Sequence, residues 1–219
     1  MDAIIIENLS KELGNEVILK NVSLAVQKKE KVLITGRSGA GKTTLFNIIG
    51  CLEKPTGGKV LVLGRDTAEL TRNEMSKLRL TEIGFIFQDF NLLPHLTAYE
   101  NIELVMELAG RKSSKRKISR LLNEVGLRDK QGSFPTKMSG GEIRRLTIAR
   151  ALANKPKIVL ADEPTSNLDE KNSKKIMKLL CSLNRKYNTS IVVISHDPVV
   201  KQYFKKKFLL KNKKLRKIR

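Results

Sequence analysis

The stretch VLITGRSGAGKTTLFNII, residues 32–49, passes from an apolar β-type run through a glycine-rich turn into a helical pattern. Gly36-Arg37-Ser38-Gly39-Ala40-Gly41-Lys42-Thr43 fits G-x-x-x-x-G-K-[ST], and Leu45, Ile48, Ile49 and Leu52 follow at i, i+3, i+4 and i+7. Strand, glycine loop and helix together are the context in which this pattern holds phosphates. Glycines let successive backbone N–H groups turn toward one anion, and the helix N-terminus adds its partial positive charge. The expected cradle is Gly36, Arg37, Ser38, Gly39, Ala40, Gly41, Lys42, Thr43 and Thr44. Lys42 would reach the β and γ phosphates, and the Thr43 hydroxyl would ligate Mg²⁺.

Outward from this loop, runs at 60–63, 83–87, 158–161 and 190–194 share the charge-free character of 32–35. Continuous apolarity predicts strands covered on both faces, as in an α/β sheet. Helical stripes lie between them: Ile102, Val105, Met106 and Ala109; Ile118, Leu121, Leu122 and Val125; Ile176, Leu179, Leu180 and Leu183. The stretch 89–153 holds several helical patterns and no strand. It reads as a helical lobe inserted into one α/β core, formed by 1–88 and 154–219. The final FLLKNKKLRKIR reads either as two strands with a turn near 212–214 or as a disordered basic tail.

The chain has 219 residues and a formal charge of +21, with six basic residues in 111–120 and ten in 201–219. That excess admits nucleic acid, an anionic membrane surface or a small polyanion as partner. No run approaches the ~18–20 apolar residues that cross a bilayer, and the opening MDAIIIENLSKE has no targeting pattern. A cytosolic protein is expected. Cys51 and Cys181 fall in amphipathic helical patterns without metal-ligand spacing, and read as reduced packing residues.

Two further stretches carry chemistry. IVLADEPTSNLDE (158–170) ends an apolar strand with Asp162, placed for the Mg²⁺ shell, and Glu163, placed to polarise a water for in-line attack. MSGGE (138–142) offers the Ser139 hydroxyl and the open N–H groups of Gly140 and Gly141 at the start of another helical stripe, a second place built for a phosphate.

In order, the loop at 36–43, Gln88 of IGFIFQ, MSGGE, IVLADEPT, SNLD (166–169) and VISHD (193–197) resemble the ATP-binding cassette (ABC) family of ATPases over essentially the whole chain. FQDFNLLPHLTAYENIEL and LADEPTSNLD are similar, more narrowly, to the small ATPases of lipoprotein-releasing, macrolide- and peptide-exporting and cell-division complexes. The resemblance implies a P-loop NTPase core with a mainly parallel sheet, an N-terminal antiparallel β portion and an inserted α-helical subdomain. It implies ATP and Mg²⁺ as cofactors, and hydrolysis between two copies of the chain closed head to tail, each MSGGE lying on the nucleotide of the other. Gln88 would contact metal and water and report on the permease, His196 would hydrogen-bond the γ-phosphate, and Asp169 would couple the paired sites. His95 reads as an exposed loop residue.

Three positions depart from the family pattern. Leu13 stands where relatives place an aromatic against adenine, Glu142 replaces a glutamine, and NKKLRKI lacks an acidic-glycine turn. The expected protein is an ATPase subunit, by this subfamily likeness an exporter's, peripheral on the cytoplasmic side of the cell membrane and working through a separate transmembrane permease. A force-transmitting cell-division ATPase and a nucleic-acid-associated ATPase are the alternatives. An anionic membrane surface is kept as a further partner, and nucleic acid is disfavoured.

Overall fold

A computed structural model describes residues 2–112 and 114–218. Its centre is a six-stranded sheet, ordered β10-β9-β3-β8-β7-β6, of β3 (Lys31–Thr35), β6 (Ile83–Ile86), β7 (Ile158–Asp162), β8 (Ser190–Ile194), β9 (Lys206–Lys211) and β10 (Lys214–Ile218). All neighbouring pairs are parallel except β9–β10. Period-2 alternation sends successive side chains of these strands into two different cores. Val32, Ile34, Leu160 and Val192 enter one, while Leu33, Val159, Ala161 and Val193 enter the other. The uninterrupted apolar runs are therefore buried on both faces.

The first core is closed by α1 (Lys42–Ile49) and by an antiparallel sheet ordered β2-β1-β4-β5, from β1 (Asp2–Leu13), β2 (Glu16–Gln27), β4 (Gly57–Val62) and β5 (Arg65–Asp66). Phe46 of α1 meets Phe85 and Phe87 edge-on, at centroid distances of 6.0 and 5.8 Å, a geometry that suits aromatic quadrupoles. α2 (Arg72–Glu82) leads into β6. The second core is closed by α3 (Ala98–Leu108), α4 (Lys115–Glu124), α5 (Gly140–Leu152), α6 (Glu170–Tyr187) and the short α7 (Pro198–Lys201). Between 87 and 157 the described residues form helices, 3₁₀ turns and loops without a strand.

Three expectations change. The run 60–63 belongs to the antiparallel sheet, where Val60 and Val62 are buried and Leu61 is half-buried, because only one face of β4 meets a core. The stripe from Leu45 breaks at Gly50, so Leu52 lies beyond α1 and is 44% exposed. Cys51, in a left-handed turn rather than a helix, is still buried; loss of solvent pushes its thiol up to about 11, which makes it unreactive. The C-terminus is a hairpin whose Asn212-Lys213 turn has both φ values positive, the geometry that joins twisted antiparallel strands. The Lys213 carbonyl accepts from Lys20 N–H of β2, at 2.8 Å.

Candidate functional site

The loop after β3 lies so close to β9 that a Cβ on Gly36 would fall 2.6 Å from the Leu210 carbonyl oxygen. Gly41 has φ +93, and its Cβ would meet Ile18 and Leu19 side-chain carbons at 3.1 Å. Packing within the chain thus requires glycine at both ends of the cradle. Gly41 caps α1 with no side-chain hydrogen bond, and no acidic residue occupies the helix's first turn. This end keeps its backbone N–H groups and partial positive charge facing outward. Lys42 Nζ donates to the carbonyls of Gly36 and Arg37, at 3.0 and 2.9 Å.

The loop borders a cleft of about 1030 Å³. On its wall stand residues 36–39 and 41–44 with Gln88, Asp162, Glu163 and His196. Parallel strands bring these groups together, since β7 and β8 end side by side and the residues after them emerge at the same rim. Glu163 leaves β7 with φ 42, and its N–H donates to the Ile194 carbonyl at 2.8 Å. One carboxylate oxygen accepts from the Ser195 hydroxyl at 2.7 Å; the other faces His196 Nδ1 at 2.7 Å and the His196 N–H at 3.3 Å. The His196 ring is 77% exposed, so its other nitrogen is open to the cleft. Asp162 is pushed up to about 6 by burial first and by the neighbouring Glu163 charge second, with Lys42 opposing.

Ser139, Gly140 and Gly141 are not on this wall. Ser139 caps α5 in a capping box, its hydroxyl accepting from Glu142 N–H while Glu142 Oε2 accepts from Ser139 N–H at 2.8 Å and faces the Ser139 hydroxyl oxygen at 3.0 Å. Lys130 Nζ approaches the same carboxylate at 3.4 Å. The Ser139 N–H bond, burial and the Ser139 hydroxyl are the main influences on Glu142, which stays below the usual carboxylate range. A Cβ on Gly140 would meet nothing within 4 Å, and one on Gly141 only an Arg145 nitrogen at 3.7 Å. Asp169 caps α6 by accepting from Asn172 N–H at 2.7 Å, and is exposed. His95 is an exposed loop residue. Leu13, 50% exposed at the end of β1, pairs in register with Glu16, which lines the cleft together with Ile18.

Two residues escaped the sequence reading. Ser195 lay within VISHD without an assigned role, although it orients the Glu163 carboxylate. Arg144 of α5 is fully buried, donating to the carbonyls of Phe87 and Gln88 at 2.7 and 3.0 Å and to the Ser166 hydroxyl at 3.1 Å, with its guanidinium 4.7 Å from the Phe90 ring centroid. An arginine at a stripe's polar position reads as solvated, so no local pattern distinguishes it.

A second cleft, of about 550 Å³, lies between the sheet edge and the helices, and Leu52, Arg79, Phe87, Val105, Leu108 and Arg150 help line it. Among the described residues no helix is long and apolar enough to cross a membrane.

The family description "ABC transporter" matches residues 19–166. The chain is 45% identical over 193 residues to the lipoprotein-releasing system ATP-binding protein LolD of Aquifex aeolicus, covering 87% of this chain and 86% of that protein. It is 43% identical over 199 residues to the macrolide export ATP-binding/permease protein MacB of Campylobacter jejuni, covering 90% of this chain but 31% of that longer protein. A solved ATP-binding cassette of Methanocaldococcus jannaschii, a dimer in a post-hydrolysis state bound to ADP and Pi, superimposes with a TM-score of 0.88 at 40% identity, covering 99% of each chain. The phosphate loop, the paired acids after β7 and the match across most of the sequence agree: the chain belongs to the ABC transporter family, as an ATP-binding and ATP-hydrolysing cassette.

Proposed function

We propose that two copies of this chain close on two ATP molecules, each held by one copy's 36–44 loop and covered by the other's Ser139, Gly140 and Gly141, and that the cycle drives a separate transmembrane permease. The carrying observation is the contrast between the glycine pairs. Gly140 and Gly141 answer no packing need of their own chain and stand off its nucleotide cleft, so an outside partner gives their bareness a purpose.

In this reading Lys42 exchanges the Gly36 and Arg37 carbonyls for the β and γ phosphate oxygens, while the loop N–H groups hold the triphosphate in place. Thr43, Asp162 and Gln88 share one wall and offer only oxygen donors, which suits Mg²⁺. The remaining ligands would come from substrate phosphates and water. When bound, Mg²⁺ supplies charge neutralisation at the β and γ phosphates. Glu163 accepts a proton from the attacking water as the bond from the γ phosphorus to its bridging oxygen breaks. Ser195 and His196 hold the carboxylate, and the outer nitrogen of His196 reaches the γ-phosphate. Residues 89–153 act as a lobe against a core of 1–88 and 154–219. The permease seats in the cleft between them, beside the Gln88 segment, on the cytoplasmic side of the membrane. Similarity to proteins named for lipoprotein release and macrolide export favours an exporter over force transmission or nucleic-acid work.

Glu163→Gln tests the arrangement. Turnover is expected to fall by about 10²–10⁴, the range of a general base, with ATP binding retained and an ATP-dependent dimer accumulating. Measured mass should double only with ATP; a monomer under both conditions overturns the paired sites.

A further inference from the structure

The ends of α3 and α5 separate two cavities. Val105 and Asn154 line the cleft assigned above to the permease, while Met106 and Ala153 line a neighbouring cavity of about 460 Å³. Five cations border this second cavity: Arg111, Lys117, Arg120, Lys155 and Lys186. Leu121, Leu152 and Met106 give it an apolar floor. Among the described residues one carboxylate pairs with the ring, Glu124, which takes Arg120 Nε at 3.1 Å and Lys186 Nζ at 2.7 Å. Arg111, Lys117 and Lys155 make no side-chain hydrogen bond or ion pair with any described residue. Lys115 and Arg116 stand on the same turn as Lys117, and that first turn of α4 contains no acidic residue. The chain thus gathers like charges around a concavity and leaves most of them unmatched, a cost that an external anion relieves.

We propose that this cavity holds the phosphate-bearing headgroup of an anionic membrane lipid next to the permease. Its orientation toward the bilayer rests on the permease occupying the adjoining cleft. A lipid fits both halves of the site: the cations take the phosphate, and the apolar floor takes the glycerol and first methylenes, which a soluble polyphosphate lacks. Nucleic acid fits less well. Among the described residues Tyr187 is the one aromatic side chain lining the cavity, and its hydroxyl is tied to Glu124, so those residues offer no row of stacking platforms of the kind that accompanies single-strand binding. The C-terminal basic cluster differs, since Lys211, Lys214 and Lys217 lie along hairpin strands at the opposite end of the sheet.

The test uses the full chain without permease and phosphatidylcholine vesicles with or without phosphatidylglycerol, at physiological salt. The chain should co-sediment only with the anionic vesicles. Combined Arg111→Glu, Lys117→Glu and Lys155→Glu should weaken partitioning by about a hundredfold or more, from the worth of a Lys or Arg near a charged membrane. Combined Lys211→Glu, Lys214→Glu and Lys217→Glu, the same change in net charge, should leave it nearly intact. Arg111→Gln with Lys117→Gln, milder for folding, should cost about thirtyfold. Failure of the wild-type chain to bind, equal losses in both triple variants, or tighter pocket-dependent binding of tripolyphosphate or duplex DNA at matched salt each overturns the proposal. ATP binding and turnover, followed in parallel, report on the cassette itself, so failure of the paired-site reading shows separately.

Discussion

In the loop that leads from β3 into α1 a methyl group on Gly36 would collide with the Leu210 carbonyl, whereas at the start of α5 one on Gly140 would meet open space. The two helix ends differ in charge in the same sense. The first has no side-chain cap and no acid in its opening turn, while the second is closed by Ser139 and Glu142. α2 and α3 begin with the same kind of box, from Thr71 with Glu74 and Thr97 with Glu100. Within its own chain, then, the MSGGE helix starts as ordinary structural helices do. Of these two helix starts only the 36–44 cradle has glycines that internal packing demands, which is why we propose that the second serves a surface outside the chain.

The sharpest way to break this contrast is complementation. Lys42→Ala should abolish nucleotide binding in its own chain, and Ser139→Arg should abolish hydrolysis while sparing binding. Mixed, the two variants form one pocket with both halves intact, so part of the turnover should return in an ATPase assay. Absence of any recovery in demonstrated mixed dimers would dissolve the distinction.

Alanine substitutions probe the same point with opposite signs. Gly36→Ala should lower stability by about 2 kcal/mol or more, through the backbone collision. Gly140→Ala should raise the stability of the isolated chain by roughly 0.5–1 kcal/mol, because it removes glycine's backbone freedom from a helix, and yet slow turnover at least tenfold, about 1.4 kcal/mol of lost transition-state stabilisation. Thermal unfolding paired with steady-state kinetics distinguishes the two.

The acids around the cradles give smaller effects. Asp162 has a raised folded pKa of about 6, so its charged form is penalised on folding; the penalty is absent below the unfolded value near 4 and complete above 6. Asp162→Asn should therefore stabilise the nucleotide-free chain by about 1–2 kcal/mol at pH 8, after discounting for partial exposure, and by almost nothing at pH 4. Melting curves across that range check the sign. Smallest is Glu142→Gln, which removes an anion from the α5 end but keeps an oxygen acceptor. It should cost a few tenths of a kcal/mol in stability, while lowering the ATP concentration needed for dimers in the Glu163→Gln background. An unchanged dimer midpoint would mean that Glu142 lies away from the partner's nucleotide.

Much of the site could be read before folding because its parts are short, local and carried to one rim by parallel strands. Lys42, Asp162, Glu163 and His196 each follow an apolar run, and those runs become β3, β7 and β8, neighbours in the sheet. What escaped depends on distance. Val60 and Val62 read like buried-sheet residues because a four-residue apolar run does not report whether one face or two will be covered. The Glu142 box was legible, since Ser139 and Glu142 have the S-x-x-E spacing that also appears at 71–74 and 97–100 in threonine form. The Ser195–Glu163 bond and the Arg144 contacts join residues tens of positions apart, beyond the reach of any local pattern.

Arg144 has a mechanical consequence. Its guanidinium, drawn down to about 10 by burial but still charged at neutral pH, joins α5 to the segment leaving β6 and to the turn after β7. Rotating that helix alone would strip three hydrogen bonds from an enclosed cation, at a cost of several kcal/mol. Helix, Gln88 segment and Ser166 turn are thereby tied through one side chain, so separating any of them from the other two carries that cost.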